Sequence, residues 1–162
     1  MNEGVEWALH CCVNLAWVGP DEAVPAAGLA AFYDLPTAYL NKQLQALARA
    51  GIVSSTSGPK GGFRLARSAK DITLLDVVTA IDGPEEAFRC QEIRRNGASR
   101  KLPDDYRQRC LIAQAMREAE VGWRRELAAR TIADIKGAVE RQAPDGPELT
   151  RSLLLRAPRS RR

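Results

Sequence analysis

Residues 52–66 interrupt a largely helical pattern with a different signal. Two short runs, Ile52-Val53-Ser54-Ser55 and Phe63-Arg64-Leu65-Ala66, flank the tip Ser57-Gly58-Pro59-Lys60-Gly61-Gly62. Strand-prone runs on either side of a Gly-rich tip predict a β-hairpin. Two helices lead into it. Pro25 suits the first turn of a helix over residues 26–33, and Asp34-Leu35-Pro36-Thr37 ends that helix and starts another. The second carries Leu40, Leu44, Leu47 and Ala48 on one face and stops at Gly51, which accepts the left-handed turn past a helix end. Helix, short break, helix, then hairpin is the order of a winged helix-turn-helix, with the hairpin as the wing. The fold class expected is mainly α with a small β-hairpin wing.

The flanks extend this pattern. Val5, Leu9, Cys12, Val13 and Ala16 recur at three- and four-residue spacing, so residues 3–18 form a first helix with one buried face. Thr73 caps a helix over 74–81 that Gly83-Pro84 stops. Residues 83–109 are polar and aperiodic, and Cys90 and Cys110 bracket most of them. A loop of that length is usually functional or disordered, and the cysteines favour function. Helical spacing resumes from Leu111 to Leu127 through Ile112, Ala115, Met116, Ala119 and Trp123. Thr131 and Asp134 match a capping box, predicting a last helix from Ile132 to about Arg141. Beyond Ala143, prolines, Gly146 and arginines predict a mostly disordered basic tail.

Charge is spread unevenly. The 162 residues carry a net charge of +4, yet residues 36–70 hold Lys42, Arg49, Lys60, Arg64, Arg67 and Lys70 and no acid. An acid-free stretch inside a balanced domain is what a phosphate backbone selects. Residues 143–162 add five arginines against Asp145 and Glu148. No apolar run reaches the ~20 residues of a membrane helix, so no membrane partner is expected. Glu3 and Glu6, with no basic segment before them, argue against a secretory signal. Four cysteines at 11, 12, 90 and 110 are too few and too uneven for a disulfide scaffold, which suits a cytoplasmic chain. One histidine, no nucleophile–base constellation and no phosphate-binding Gly motif leave no catalytic residues to name, so an enzyme is not expected.

Three segments together carry a family resemblance. They are Tyr39-Leu40-x-Lys42-Gln43-Leu44-x-x-Leu47-x-x-Ala50-Gly51-Ile52-Val53, Gly61-Gly62-Phe63-x-Leu65-Ala66-Arg67, and Ile72-Thr73-Leu74-Leu75-Asp76-Val77-Val78. In this order and spacing the chain resembles, over residues 1–140, the bacterial winged-helix repressors that include IscR and NsrR. The resemblance implies a homodimer, double-stranded DNA as partner, a long C-terminal dimerisation helix after a cysteine-bearing loop, and often an iron–sulfur cluster that controls DNA binding. It implies the organisation 1–82 winged-helix DNA-binding domain, 83–110 cluster-binding loop and 111–142 dimerisation helices, with the disordered basic tail 143–162 left outside the resemblance. Where cluster-binding members usually carry three loop cysteines, this chain has two, Cys90 and Cys110. Gly4-Val5-Glu6-Trp7-Ala8-Leu9-His10 is similar to the RsrR-like subgroup, which holds a [2Fe–2S] cluster with two cysteines of one protomer and a Glu and a His of the other. Carried over, the ligands are Cys90, Cys110, Glu6 and His10.

Helix geometry is compatible with that set. Four residues span about 40° of rotation and ~6 Å of rise, so Glu6 and His10 leave the same helix edge. Imidazole in place of thiolate raises a cluster's potential. Zinc accepts the same donors and stays the chemical rival. The alternative reading is a cluster-free or zinc-containing repressor that answers to a small molecule or to thiol oxidation. Cys12 falls among apolar residues as a core thiol, and Cys11 points elsewhere. Trp7 is placed to shield a cluster. On the recognition helix, Thr37, Tyr39, Lys42 and Gln43 are expected to face outward, Gln43 toward adenine edges and Lys42 toward guanine or phosphate. Lys60 at the wing tip and Arg64 are phosphate candidates, as is Arg67. Gly61 and Gly62 serve turn geometry.

Overall fold

The computed structural model describes residues 3–58, 60–98 and 110–156. They fall into two compact units. One combines the first 84 residues with those from 127 onward, and the other is residues 85–126.

The first unit is built around α1 (Glu3–Val18). Its buried residues cover a wide arc, Val5, Ala8, Cys11, Cys12 and Leu15 among them, because α1 meets neighbours on several sides. α2 (Ala26–Phe32) and α3 (Thr37–Arg49) are joined by a turn in which Asp34 takes a φ of 52°. Leu40, Leu44 and Leu47 on α3 are fully buried with Leu15 and Leu29. Each such side chain contributes about 1.5–3 kcal/mol through burial. Gly51 follows α3 with φ 68°, the left-handed turn its lack of a side chain permits.

β1 (Val53–Thr56) and β2 (Gly62–Leu65) pair antiparallel, from Val53 opposite Leu65 to Thr56 opposite Gly62. The hairpin is tied back to the loop before α2. The Val24 N–H donates to the Phe63 carbonyl at 2.9 Å, and the Phe63 N–H donates to the Val24 carbonyl at 2.8 Å. This mainly helical architecture with a two-stranded wing is the one expected.

α4 (Leu74–Asp82) starts at a capping box made by Thr73 and Asp76. α6 (Ile132–Gln142) starts at a matching box made by Thr131 and Asp134. The two starts pair as a bridge, with Leu74 N–H donating to Arg130 O and Ile132 N–H to Ile72 O, both at 2.9 Å. That bridge and the buried Ile132 return the chain to the winged helix, and α6 packs on α1. Residues 132–142 therefore belong to the same compact unit as the winged helix, and they follow a break at residues 129–131 as the capping box predicts.

The disordered tail expected from residue 143 is corrected over α7 (Gly146–Arg156), which packs on α1 and α2. Pro147 is tolerated in a first turn, and Leu154, only 2% exposed, supplies the apolar contact that local composition does not reveal. Residues 157–162 lie outside the described residues.

The second unit holds most of α5 (Leu111–Ala128) and the segment before it. Residues 85–92 carry no helix or strand, and a short 3-10 turn spans Ile93–Arg95. Residues 99–109 of the expected loop lie outside the described residues. Arg117 pairs with Glu86 at 3.3 Å, and Arg124 donates to the Glu85 carbonyl at 3.0 Å. No side chain of α5 is buried; Leu111, Ile112 and Val121 are 80%, 68% and 52% exposed.

Candidate functional site

The surface expected to read DNA starts at α3. Pro36 ends the preceding turn in extended backbone, directly before the first turn of α3. Thr37, Tyr39 and Lys42 are exposed there, as the sequence indicated. Gln43 is not: it is 6% exposed. The correction follows from spacing, since 40, 43, 44 and 47 form one inward stripe at i, i+3, i+4 and i+7. Asn41 and Gln45 are exposed beside Lys42. Their signal was in the leucines, whose positions put 38, 41, 42 and 45 on the opposite side.

On the wing, Lys60 is exposed and Pro59 lies outside the described residues. Arg64 is half-buried, opposite Ser54, and its Nη1 lies 3.5 Å from the Pro20 carbonyl, so part of its reach is spent on the loop before α2. Arg67 pairs with Asp76 at 3.2 Å, which gives it a structural partner at the base of α4.

Glu6 and His10 are both exposed on α1. They line one mostly apolar cleft of about 680 Å³ together with Leu9, Val13, Trp17 and Tyr33. His10 Nδ1 stands 3.5 Å from Tyr33 Oη, and Asn14 Nδ2 donates to the same hydroxyl at 2.9 Å. Burial pushes the Tyr33 hydroxyl pKa up, partly opposed by the Asn14 bond, so the phenol stays protonated at neutral pH. One residue from Glu6, the Trp7 ring meets Tyr39 of α3 edge-on, with centroids 5.1 Å apart.

Cys90 is exposed and Cys110 half-buried, and both line one cleft in the second unit with Glu92, Gln114 and Arg117. The Glu92 N–H donates to Cys90 Sγ at 3.4 Å. Cys11 and Cys12 differ in kind. Both are buried, and burial pushes the Cys11 thiol up to about 12 and the Cys12 thiol higher still. Neither supplies a thiolate near neutral pH. Among the described residues, no three His, Cys, Asp or Glu side chains gather in a group that could hold a metal. The expected ligands thus occur as two pairs, each short of a coordination set.

Three comparisons bear on these surfaces. The family model described as Rrf2, iron-dependent transcriptional regulator, matches residues 1–138. The protein rrf2 of Nitratidesulfovibrio vulgaris is 30% identical over 123 residues, 76% of this chain and 77% of its own. The HTH-type transcriptional regulator IscR of Photobacterium profundum is 32% identical over 84 residues, 52% of this chain and 49% of its own. The chain spans about half the length of the IscR relatives it matches. Among solved structures, T. potens IscR superposes with a TM-score of 0.67 at 20% identity, covering 88% of this chain and 90% of that one.

Proposed function

The chain belongs to the Rrf2 family of transcriptional regulators, and from that premise we propose that it senses redox state through a [2Fe–2S] cluster held between two protomers. It is a DNA-binding regulator and not an enzyme. The finer reading rests on one observation. Glu6 and His10 share an exposed edge of α1, Cys90 and Cys110 share a second cleft, and each pair is two donors short of the four that two irons need.

The donor chemistry fits the group. A metal-bound imidazole is ordinarily oriented through its other ring nitrogen. Tyr33 Oη stands beside His10 Nδ1, so it can accept that N–H and leave Nε2 free for iron. Glu6, an exposed carboxylate, would be the weakest of the four donors. When bound, the cluster supplies a one-electron change of charge at this edge of α1. Everything downstream is done by side chains. Trp7 rests on Tyr39, so displacement of α1 reaches the first turn of α3. In the dimer, two such helices must sit about 34 Å apart to enter successive major grooves, so a small tilt costs several contacts at once. We assign DNA contacts to Thr37, Tyr39 and Lys42 on α3 and to Lys60 and Arg64 on the wing.

The test mixes two variants, each unable to assemble a cluster alone: Cys90→Ala/Cys110→Ala and Glu6→Ala/His10→Ala. In a heterodimer with ligation across the interface, one site has all four donors and the other none. Anaerobic reconstitution then restores about half the visible absorbance per dimer. Ligation within one protomer predicts no recovery. A wild-type protein that is colourless after anaerobic purification and carries zinc would replace the cluster with the zinc-containing alternative.

A further inference from the structure

We propose that Asn41 and Gln45 of α3 read adenines through the major groove, and that these two amides set the base preference of each half-site. The proposal rests on the DNA-reading role of α3 and not on the cluster.

The direction of α3 is fixed by what it buries. Successive helical residues are about 100° apart. Leu40, Gln43, Leu44 and Leu47 are buried, and they fall within an arc of about 100°. Ala38, Lys42, Gln45 and Arg49 stand within about 30° of the opposite direction, and Asn41 about 70° from it. All of them are exposed. Thr37 and Tyr39 lie at the sides of this face, about 90–110° from its centre. The leucines at 40, 44 and 47 are fully buried, so the helix presents the outward residues as a fixed ridge.

A recognition helix touches base edges with its N-terminal residues. That selects residues 37–45 and leaves Arg49, in the last turn, to the backbone. Lys42 is a point charge suited to guanine or phosphate. Asn41 and Gln45 are neutral amides, each able to donate and accept at once. Adenine presents its N6 amino donor beside the N7 acceptor, and an amide pairs with both. Guanine presents two acceptors, N7 and O6, so an amide placed there leaves its carbonyl facing an acceptor. Residues 36–70 hold no acid, so α3 and the wing carry no carboxylate to accept from the cytosine amino group. Ala38 sits near the centre of the ridge, where its methyl lets the helix approach closely and suits the thymine methyl of an A·T pair.

Both amides are available. Among the described residues no hydrogen bond engages either side chain. By contrast Gln43 is buried, Arg64 reaches the Pro20 carbonyl and Arg67 pairs with Asp76. Asn41 and Gln45 are four residues apart, about 6 Å along the helix, against about 3.4 Å per base step. They therefore address base pairs one or two steps apart.

The probe is a pool of duplexes with randomised centres, about 30 bp long to hold two half-sites one helical turn apart. The full chain is used, both reconstituted anaerobically and cluster-free, and the form that enriches sequence more strongly is compared across variants. Wild type should enrich half-sites with A·T fixed at two positions one or two steps apart. Asn41→Ala should release one of these positions and Gln45→Ala the other. Each lowers the preference for adenine over guanine there by about 5- to 150-fold, the worth of one bidentate pair. The salt slope on random duplex should stay unchanged, because a neutral amide releases no counterion. Gln45→Arg should turn the preference at its position from adenine to guanine, which a merely structural residue does not do. Circular dichroism checks that each variant is folded. Folded variants that keep every wild-type base preference overturn this inference alone. So does a uniform loss of affinity over all sequences, which would make the amides backbone contacts, and so does release of positions held by a base pair other than A·T. Wild type that enriches no sequence would overturn the DNA-reading assignment of α3 along with it.

Discussion

Gly62→Ala is a severe single-atom perturbation of the wing. Gly62 has a φ of 151°, and a Cβ there would lie 2.4 Å from the Val24 carbonyl carbon, 2.5 Å from its oxygen and 2.7 Å from Pro25 N. All three are backbone atoms, so no side chain can swing aside. Either the hairpin or the loop before α2 must move. The two hydrogen bonds between Val24 and Phe63, at 2.9 and 2.8 Å, are the first to go. Their net loss costs about 1 kcal/mol each. The unfavourable backbone conformation adds about 1–2 kcal/mol. The sum is about 3–4 kcal/mol, a large part of the 5–15 kcal/mol that holds a domain folded. For a chain of this size that is a fall of roughly 6–16 °C in Tm. Gly51→Ala is the control, because Gly51 also has positive φ, at 68°, but nothing lies within 4 Å of its Cβ position. It should cost only about 1 kcal/mol. Urea denaturation followed by circular dichroism, at one fixed protein concentration, gives both values. If Gly62→Ala costs no more than Gly51→Ala, close approach of the wing to Val24 is not what requires glycine.

Lys42→Ala should lower the salt slope of DNA binding by about 1, as loss of one phosphate contact does. Gln43→Ala should act on stability, with the loss of specific binding tracking the loss of fold, because the side chain is buried. Selective loss at one base pair, in a fully stable protein, would return Gln43 to the reading surface. In the cluster-free protein at pH 7.5, a thiol reagent should modify Cys90 and Cys110 at once and reach Cys11 and Cys12 only on unfolding, given their burial and raised pKa. Four thiols reacting in one fast phase would contradict the packing around α1.

Sequence alone was enough for whatever is decided within a few residues. Thr73 as a cap and Thr131 with Asp134 as a capping box are decided within one turn, and both formed, Thr73 with Asp76 closing a box of its own. The leucines at 40, 44 and 47 set the direction of α3 by their spacing, and that spacing also held the position of Gln43. The Gly-rich tip specified a hairpin. The i, i+4 relation of Glu6 and His10 put both on one edge of a helix wherever that helix packed. Contacts between distant segments were beyond its reach. Cys11 is buried because α1 is packed by α3, α4, α6 and α7, so it has no single apolar face to read. Gly62 was legible as a turn residue, but the backbone it touches, 38 positions earlier, was not. α7 shows the limit most directly. A segment with Gly146, Pro147 and several arginines has little local reason to be ordered, and an isolated helix of 11 residues is marginal in water. Tertiary burial of Leu154 against helices more than a hundred residues away supplies what propensity lacks, and only the folded chain brings that surface to it.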